Sequence, residues 1–243
     1  MEISICRDAA ELGIKAAEKV RQLLTEAVKN QGCARMLVST GASQFEYFRE
    51  LVQYNDIEWN RIEVFHLDEY IGLDKTQKAS FVKYLEERFI NLVQPKAFYP
   101  VQGRGDIEEN LRELTRLWAE RPIDVGVIGI GENGHIAFND PPADFETKEI
   151  YRIVTLDEAC RRQQWREGWF PTIEDVPEQA VSMSVHGILQ CKTIVSVVPH
   201  AVKAAAVKRT LQSAEITPEV PASILRTHAD WHLFLDENSA SGL

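Results

Sequence analysis

Apolar residues along this chain alternate between helical spacing and short continuous runs. Between residues 9 and 28 they fall three or four positions apart, which predicts an amphipathic helix, and Gly32 follows as a stop signal. The run Met36-Leu37-Val38 predicts a buried strand. A turn of small residues then leads into a second stretch with helical spacing. The chain therefore begins with a helix, a strand and another helix.

The same alternation continues along the rest of the sequence. Further strands are predicted at residues 62–67, 124–130, 180–185, 193–198 and 231–235, and further helices at residues 81–92, 107–118 and 201–211. Strands that alternate with helices indicate an α/β fold with a mostly parallel, doubly wound sheet. No linker or repeat interrupts the pattern, so we expect residues 1–243 to form a single domain. Ligands of such sheets bind beyond the carboxyl ends of the strands.

Composition narrows the classes of partner. The chain has 27 lysine and arginine residues against 37 aspartate and glutamate residues, so it offers phosphates of nucleic acids and anionic lipids no broad attraction. No apolar run of about 18 residues and no secretory leader pattern is present. The four cysteines have neither zinc-site nor disulfide spacing, which indicates reduced thiols in a cytoplasmic protein. We expect no nucleic-acid, membrane, metal or cofactor partner.

The small-residue turn Ser39-Thr40-Gly41-Ala42-Ser43 is the first candidate site. Small side chains leave backbone N–H groups accessible, and the helix that follows presents its N-terminus to an anion, so a phosphate would fit there. An ordinary strand-to-helix turn with Ser43 as N-cap uses the same residues. The sequence alone leaves both interpretations open.

The segment Leu67-Asp68-Glu69-Tyr70-Ile71-Gly72-Leu73 places adjacent carboxylates at the mouth of a predicted strand. A carboxylate that is partly desolvated there can act as a general base, because desolvation raises its proton affinity. Asp68 and Glu69 cannot share that task, since alternate strand residues point in opposite directions. The alternative is that both carboxylates cap the next helix.

The stretch from Gly129 to Pro142 opens with a match to GxGxxG, the dinucleotide-binding pattern. That pattern needs a helix after its third glycine, whereas here two prolines follow and no helical spacing does, so we reject it. The glycines are expected to let backbone approach a ligand. His135 stands in this loop with Asn133 and Asp140 nearby, as a proton-transferring imidazole with a partner requires.

Cations in the second half of the chain form the last candidate set. Arg161, Arg162 and Arg166 fall on a predicted helix, and Lys203 opens another. Most arginines on helices are merely solvated. We expect a phosphate role only for those that the fold brings beside the turn at residues 40–43.

Taken together, the LDEYIGL segment and the GxGxNGHIAFNDP segment resemble the two signature motifs of the glucosamine-6-phosphate deaminases (isomerases), in the same order and separation. The resemblance covers most of the chain. It implies an α/β sheet of modified Rossmann type. The reaction that it implies converts glucosamine 6-phosphate and water into fructose 6-phosphate and ammonia, with a small sugar phosphate as the only partner.

The resemblance also implies roles for individual residues. Asp68 would move a proton from C2 to C1 of the substrate, and His135 would open the sugar ring, oriented by Asn133 and Asp140. The phosphate ligands that it implies are Thr40, Gly41, Ala42, Ser43, Arg166 and Lys203.

The chain departs from the family pattern near the histidine. Many members have Asp at the position of Asn133 and Glu at that of Asp140, so any charge on the imidazole would depend on Asp140, and the substrate could be a related amino-sugar phosphate. Allosteric members bind an activator through basic residues after this motif. Here Arg152 is present but Val154 stands where a lysine is expected, so we expect no comparable activation.

Two other functions remain open from the sequence. The 6-phosphogluconolactonases share the fold and the phosphate turn, but typically have arginine at the position of Tyr70 and Thr-Ala-Ser in place of Ile136-Ala137-Phe138. A non-catalytic sugar-phosphate sensor would need a DNA-binding module, and the predicted elements leave no segment for one. The oligomeric state is also open, a homo-oligomer included, since related proteins range from monomers upward.

Overall fold

The computed structural model describes residues 1–243. The strands are β1 (Glu2–Cys6), β2 (Ala34–Val38), β3 (Ile62–His66), β4 (Asp68–Tyr70), β5 (Ala97–Tyr99), β6 (Val125–Ile128), β7 (Tyr151–Thr155), β8 (Gln179–Met183), β9 (Thr193–Val198) and β10 (Trp231–Asp236). The α-helices are α1 (Ala9–Gln31), α2 (Phe45–Leu51), α3 (Phe81–Leu85), α4 (Asn91–Val93), α5 (Ile107–Glu120), α6 (Glu158–Arg166), α7 (Val185–Leu189) and α8 (Ala204–Gln212). No helix is long and apolar enough to cross a membrane.

The main sheet has seven strands in the order β1-β10-β9-β6-β2-β3-β5. Every neighbouring pair in it is parallel. Successive residues of a strand face opposite sides of a sheet. Accordingly, Met36 and Val38 pack with α1 and α2 in one apolar cluster, and Leu37 packs with α5 in another. This arrangement confirms the mostly parallel, doubly wound α/β fold that the sequence predicts.

A second sheet has the strand order β4-β8-β7, and its central strand β8 is antiparallel to both neighbours. The strand predicted at residues 180–185 therefore does not belong to the parallel sheet, and α7 already begins at Val185. Residues 180–183 are buried on both faces, which gives them the continuous apolar pattern of a central parallel strand. An aromatic cluster formed by Tyr70, Phe81, Phe138 and Phe170 supports one face of this smaller sheet.

The end of helix α1 agrees with its sequence signal, whereas several short strands were not predicted. Helix α1 continues to Gln31 and stops at Gly32, whose φ of 78° is a left-handed conformation that suits glycine. The helix predicted at residues 81–92 is interrupted by a π-helical turn at Glu86–Ile90. Four strands were not predicted, namely β1, β4, β5 and β7. Strands β1 and β5 lie at the two edges of the main sheet, and Ile3 and Ile5 of β1 are exposed, which blurs the expected alternation.

His66, at the end of β3, is fully buried, and neither of its ring nitrogens has a hydrogen-bond partner. Burial lowers the pKa of His66 to about 3, so the ring is neutral near pH 7.

Candidate active site

Loops after four adjacent strands, β9, β6, β2 and β3, meet at the carboxyl edge of the main sheet. They enclose a cavity of about 360 Å³. Of the residues singled out in the sequence, those that line it are Thr40, Gly41, Ala42, Ser43, Asp68, His135, Arg166 and Lys203. Parallel strands place such loops side by side, which is why segments distant in sequence converge here.

Asp68 and Glu69 are both buried, but only Asp68 faces the cavity. Glu69 turns the other way and accepts hydrogen bonds from the Ser80 hydroxyl (2.8 Å) and the Val82 N–H (2.9 Å) at the start of α3. The helix-capping interpretation therefore holds for Glu69 alone. Burial, together with the negative charge of Glu69, raises the pKa of Asp68 well above its usual range. A carboxylate of this kind is suited to proton abstraction.

The turn at residues 40–43 follows β2 and leads into a short 3-10 helix (Ala42–Gln44) and then α2. Neither helix has a side-chain N-cap, so the Ser43 capping interpretation is wrong. Gly41 has a φ of 103°, a conformation that favours glycine and opens the backbone toward the cavity. The turn can therefore present backbone N–H groups to an anion.

Lys203 lines the same cavity as this turn and is 7% exposed. Its ammonium forms no ion pair with a carboxylate. Burial lowers the pKa of Lys203, although the negative charges of Glu167 and Glu132 oppose that effect. A buried cation without a direct partner favours an anionic ligand, since the ligand would supply the missing charge.

Arg166, at the end of α6, also lines the cavity, but its guanidinium is already paired with Glu132, at 2.6 Å between Nη2 and Oε2. The other two arginines of the helix point elsewhere: Arg161 donates to the carbonyl of Ile173, and Arg162 pairs with Glu158. Of the cations on α6, only Arg166 is placed to reach an anion in the cavity.

His135 is backed by Asp140, with Nδ1 and Oδ1 3.0 Å apart. The N–H direction at Nδ1 does not point well enough at this oxygen for a good hydrogen bond. Asn133 joins the two, because its side-chain amide donates to Asp140 (3.1 Å) and its side-chain oxygen accepts from the backbone N–H of His135 (3.0 Å). Burial alone would raise the pKa of Asp140, but its contacts with His135 and Asn133 outweigh burial and lower it. Asp140 is therefore an ionised partner for the imidazole.

Two glycines of the GxGxxG match have structural roles of their own. No helix follows them, as expected from the prolines. A Cβ atom at Gly131 would lie 2.2 Å from Nε2 of His135, whereas one at Gly129 would meet Ser43 Oγ at 3.4 Å. The sequence predicted that these glycines admit a ligand; the structure shows that Gly131 makes room for the His135 ring.

Further polar residues that were not selected from the sequence also line the cavity. They are Glu132, Gln163, Gln164, Glu167 and His200. Glu132 lies within the motif that contains His135, and this position in the sequence could have identified it as a residue of the site. Nothing in the local pattern of α6 distinguishes Gln163 and Gln164 from residues on an ordinary solvated helix.

The donor atoms of His135, Asp140 and Cys160 lie within 4.8 Å of one another, so they are the residues that could hold a metal ion. Burial raises the pKa of the Cys160 thiol well above its usual range. A metal would have to displace that proton and also the proton that lies between His135 and Asp140. The geometry thus favours proton transfer by the pair over ligation.

Comparison with known proteins was made on the whole chain. The family model described as glucosamine-6-phosphate isomerases/6-phosphogluconolactonase matches residues 7–233. The glucosamine-6-phosphate deaminase of Streptococcus suis (strain 05ZYH33) is 33% identical over 244 residues, covering 100% of both chains. That of Streptococcus pneumoniae serotype 4 is 32% identical and covers 90% of this chain and 92% of the relative.

Solved structures of similar fold include members of the same family. A monomeric glucosamine-6-phosphate deaminase superposes with a TM-score of 0.89 at 29% identity, over 100% of both chains. A 6-phosphogluconolactonase from Shewanella baltica OS155 gives a TM-score of 0.78 at 19% identity, over 97% of both chains, which is a likeness of fold alone. On its sequence and its fold, the chain belongs to the family of glucosamine-6-phosphate isomerases and 6-phosphogluconolactonases.

Proposed function

We propose that this protein is a glucosamine-6-phosphate deaminase, which converts glucosamine 6-phosphate and water into fructose 6-phosphate and ammonia. One observation carries the proposal: a single cavity is lined by an unpaired carboxylate, an imidazole backed by a carboxylate, a buried cation and a turn of small residues. Relatives that are 32% and 33% identical and bear this activity in their names support it.

The substrate phosphate is assigned to the turn at residues 40–43, with Lys203 and Arg166. Lys203 gains most from the phosphate, because it is buried and lacks a direct ionic partner. Phosphate binding at this end fixes the distance of the sugar carbons from Asp68 and His135. The phosphate itself takes no part in the chemistry, so its binding energy serves to position the substrate.

Ring opening is assigned to His135. The closed sugar has no carbonyl at C1, so a proton must leave the O1 hydroxyl and another must reach O5. A neutral imidazole can accept the first proton and then donate one. Asp140 stabilises the imidazolium formed between these steps, and Asn133 holds Asp140 in place.

Asp68 is assigned the isomerisation. It removes the C2 proton of the open-chain aldehyde and returns a proton to C1. One proton also passes from the amine to O1, which leaves a hydroxyl at C1 and an imine at C2. Water then adds to C2 and ammonia departs, giving the ketose. Burial and the negative charge of Glu69 raise the pKa of Asp68, which suits this two-way transfer.

The lactonase alternative fits the cavity less well. The 6-phosphogluconolactonases typically have an arginine where this chain has Tyr70. Here Tyr70 is fully buried among Phe81, Phe138 and Phe170, outside the cavity. Lactone hydrolysis also has no need of a base at C2, the position that Asp68 would serve.

The test is an ammonia-release assay with glucosamine 6-phosphate and galactosamine 6-phosphate, run beside a hydrolysis assay with 6-phosphogluconolactone. We expect ammonia from glucosamine 6-phosphate and no acceleration of lactone hydrolysis. Lactone turnover without ammonia would replace the proposal with the lactonase. Tight sugar-phosphate binding without any turnover would replace it with the sensor.

We further propose that the protein works in the cytoplasm. All four cysteines are free thiols, and three of them are buried, which suits a reducing compartment.

A further inference from the structure

Three acidic side chains line the cavity, namely Asp68, Glu132 and Glu167. Both carboxylate oxygens of Glu167 are engaged, one by the Gln163 amide (2.8 Å) and the other by the Trp169 indole N–H (3.1 Å). Glu132 differs, because the only side chain that its carboxylate contacts is Arg166. Apart from the proposed base Asp68, Glu132 is thus the one acid of the cavity whose partner a substrate could take away.

A sugar phosphate competes for that partner. A guanidinium binds phosphate through two parallel hydrogen bonds, and the phosphate dianion carries more charge than a carboxylate. Phosphate that docks beside Lys203 therefore draws Arg166 away from Glu132. The freed carboxylate then stands in a partly enclosed cavity, with its side chain 26% exposed, where an unpaired charge is unfavourable.

The backbone around Glu132 is held next to His135. The Gly131 N–H donates to the carbonyl of His135 (2.9 Å), so both ends of this tight turn are fixed. The Glu132 N–H donates to the side-chain oxygen of Gln163 (3.2 Å). Released from Arg166, the carboxylate can therefore turn within the cavity beside His135 while its backbone stays in place.

We propose that Glu132 exchanges partners on binding, from Arg166 to the ammonium group at C2 of an amino-sugar phosphate. The inference builds on the proposed function and names the residue that selects the amine. Phosphate and ammonium then act together, since the first frees the carboxylate that the second neutralises. A sugar phosphate without an amine leaves Glu132 unpaired and binds less tightly.

The experiment uses two ligands that differ only at C2: 2-amino-2-deoxyglucitol 6-phosphate and glucitol 6-phosphate. Neither has a carbonyl, so calorimetric titration near neutral pH measures binding without turnover. We expect the parent to prefer the amine by about ten-fold or more, the scale of a hydrogen bond to a charged group. Glu132→Gln should lose this preference and bind glucitol 6-phosphate more tightly than the parent does, because Arg166 is free. Glu167→Gln, the matched control, should retain the preference.

Melting temperatures of both variants establish that they are folded. If Glu132→Gln tightened both ligands equally, Glu132 would only compete for Arg166 and the exchange would be overturned. Weaker binding of both ligands, with an unchanged preference, would make its role structural and would also overturn it. The preference is measured at equilibrium, so failure of the ammonia assay would refute the proposed function and leave this result standing.

Discussion

Replacing Gly131 with alanine tests whether the position of His135 matters for ring opening. Gly131 has no left-handed backbone conformation, so the substitution acts through its methyl group alone. The new Cβ would lie 2.2 Å from Nε2, 2.3 Å from Cε1 and 2.4 Å from Cδ2 of the imidazole. The methyl group and the ring cannot occupy these positions together.

The size of the effect follows from those distances. Carbon atoms in contact stand about 3.5 Å apart, so the ring must move by roughly 1 Å. Asp140 lies 3.0 Å from Nδ1, and a shift of this size separates or compresses the pair. A displacement of about 1 Å can cost about 100-fold in rate, which is the loss that we expect in kcat/KM for Gly131→Ala.

The assay compares glucosamine 6-phosphate with its 4,5-dideoxy analogue, which has neither O4 nor O5 with which to close a furanose or pyranose ring. The loss for Gly131→Ala should be larger on the natural, ring-forming substrate. Gly129→Ala is the matched control, because its Cβ would make an ordinary contact of 3.4 Å with Ser43 and leave His135 in place. Parent-like activity of Gly131→Ala on the closed substrate would refute the reasoning.

Further expectations concern the residues around the ring. Asp68→Asn should lower turnover by about 100-fold or more in steady-state assays, the usual scale for loss of a general base, and parent-like turnover would exclude Asp68 from that role. The same variant should be more stable than the parent near pH 7, as melting curves would show. The reason is that a carboxyl whose pKa is raised by folding destabilises the folded protein at any pH above its unfolded pKa. The difference in stability should vanish in acid. Lys203→Ala should raise KM more than it lowers kcat, since a remote phosphate is bound alike in ground and transition states, and a selective fall in kcat would contradict this. His135→Gln should lose more activity on the closed pyranose than on the 4,5-dideoxy analogue, which stays open. Asp140→Asn should show the same selectivity in milder form, and equal losses would assign His135 to another step. The value of kcat/KM should fall in acid as Asp68 of the free enzyme is protonated, and in alkali as Lys203 loses its charge. The raised pKa of Asp68 and the lowered pKa of Lys203 both narrow the pH range of activity.

Much of the fold was predictable because periodicity reports burial directly. Residues 36–38 and 193–198 read as buried strands, and helix α1 carried both its apolar stripe and its Gly32 stop. The smaller sheet was not predictable. Residues 180–183 have the apolar run of a central parallel strand, and only tertiary contacts reveal that β8 pairs with β4 and β7 in antiparallel directions.

The candidate site was predictable where motifs are local. Asp68, His135 and the turn at residues 40–43 each follow a predicted strand, and strand order brings them to one cavity. Which of the cations form ion pairs was not predictable. That Lys203 lacks a carboxylate partner and Arg166 has one depends on side-chain positions contributed by separate loops. The role of Gly131 was equally hidden, since it depends on the direction of the His135 ring.

The solitary imidazole of His66 sets a limit on the acidity that this molecule tolerates. In the unfolded chain histidine binds a proton near pH 6.5, whereas buried His66 resists protonation until about pH 3. Between those values each unit of acidification removes about 1.4 kcal/mol from the free energy of unfolding. Mildly acidic purification buffers thus remove a sizeable part of the free energy of unfolding, which is typically about 5–15 kcal/mol. An apolar side chain of similar volume at position 66 would remove this sensitivity to acid. A substitution at the carboxyl end of β3 could therefore make the protein more stable in acid without changing the residues that line the cavity.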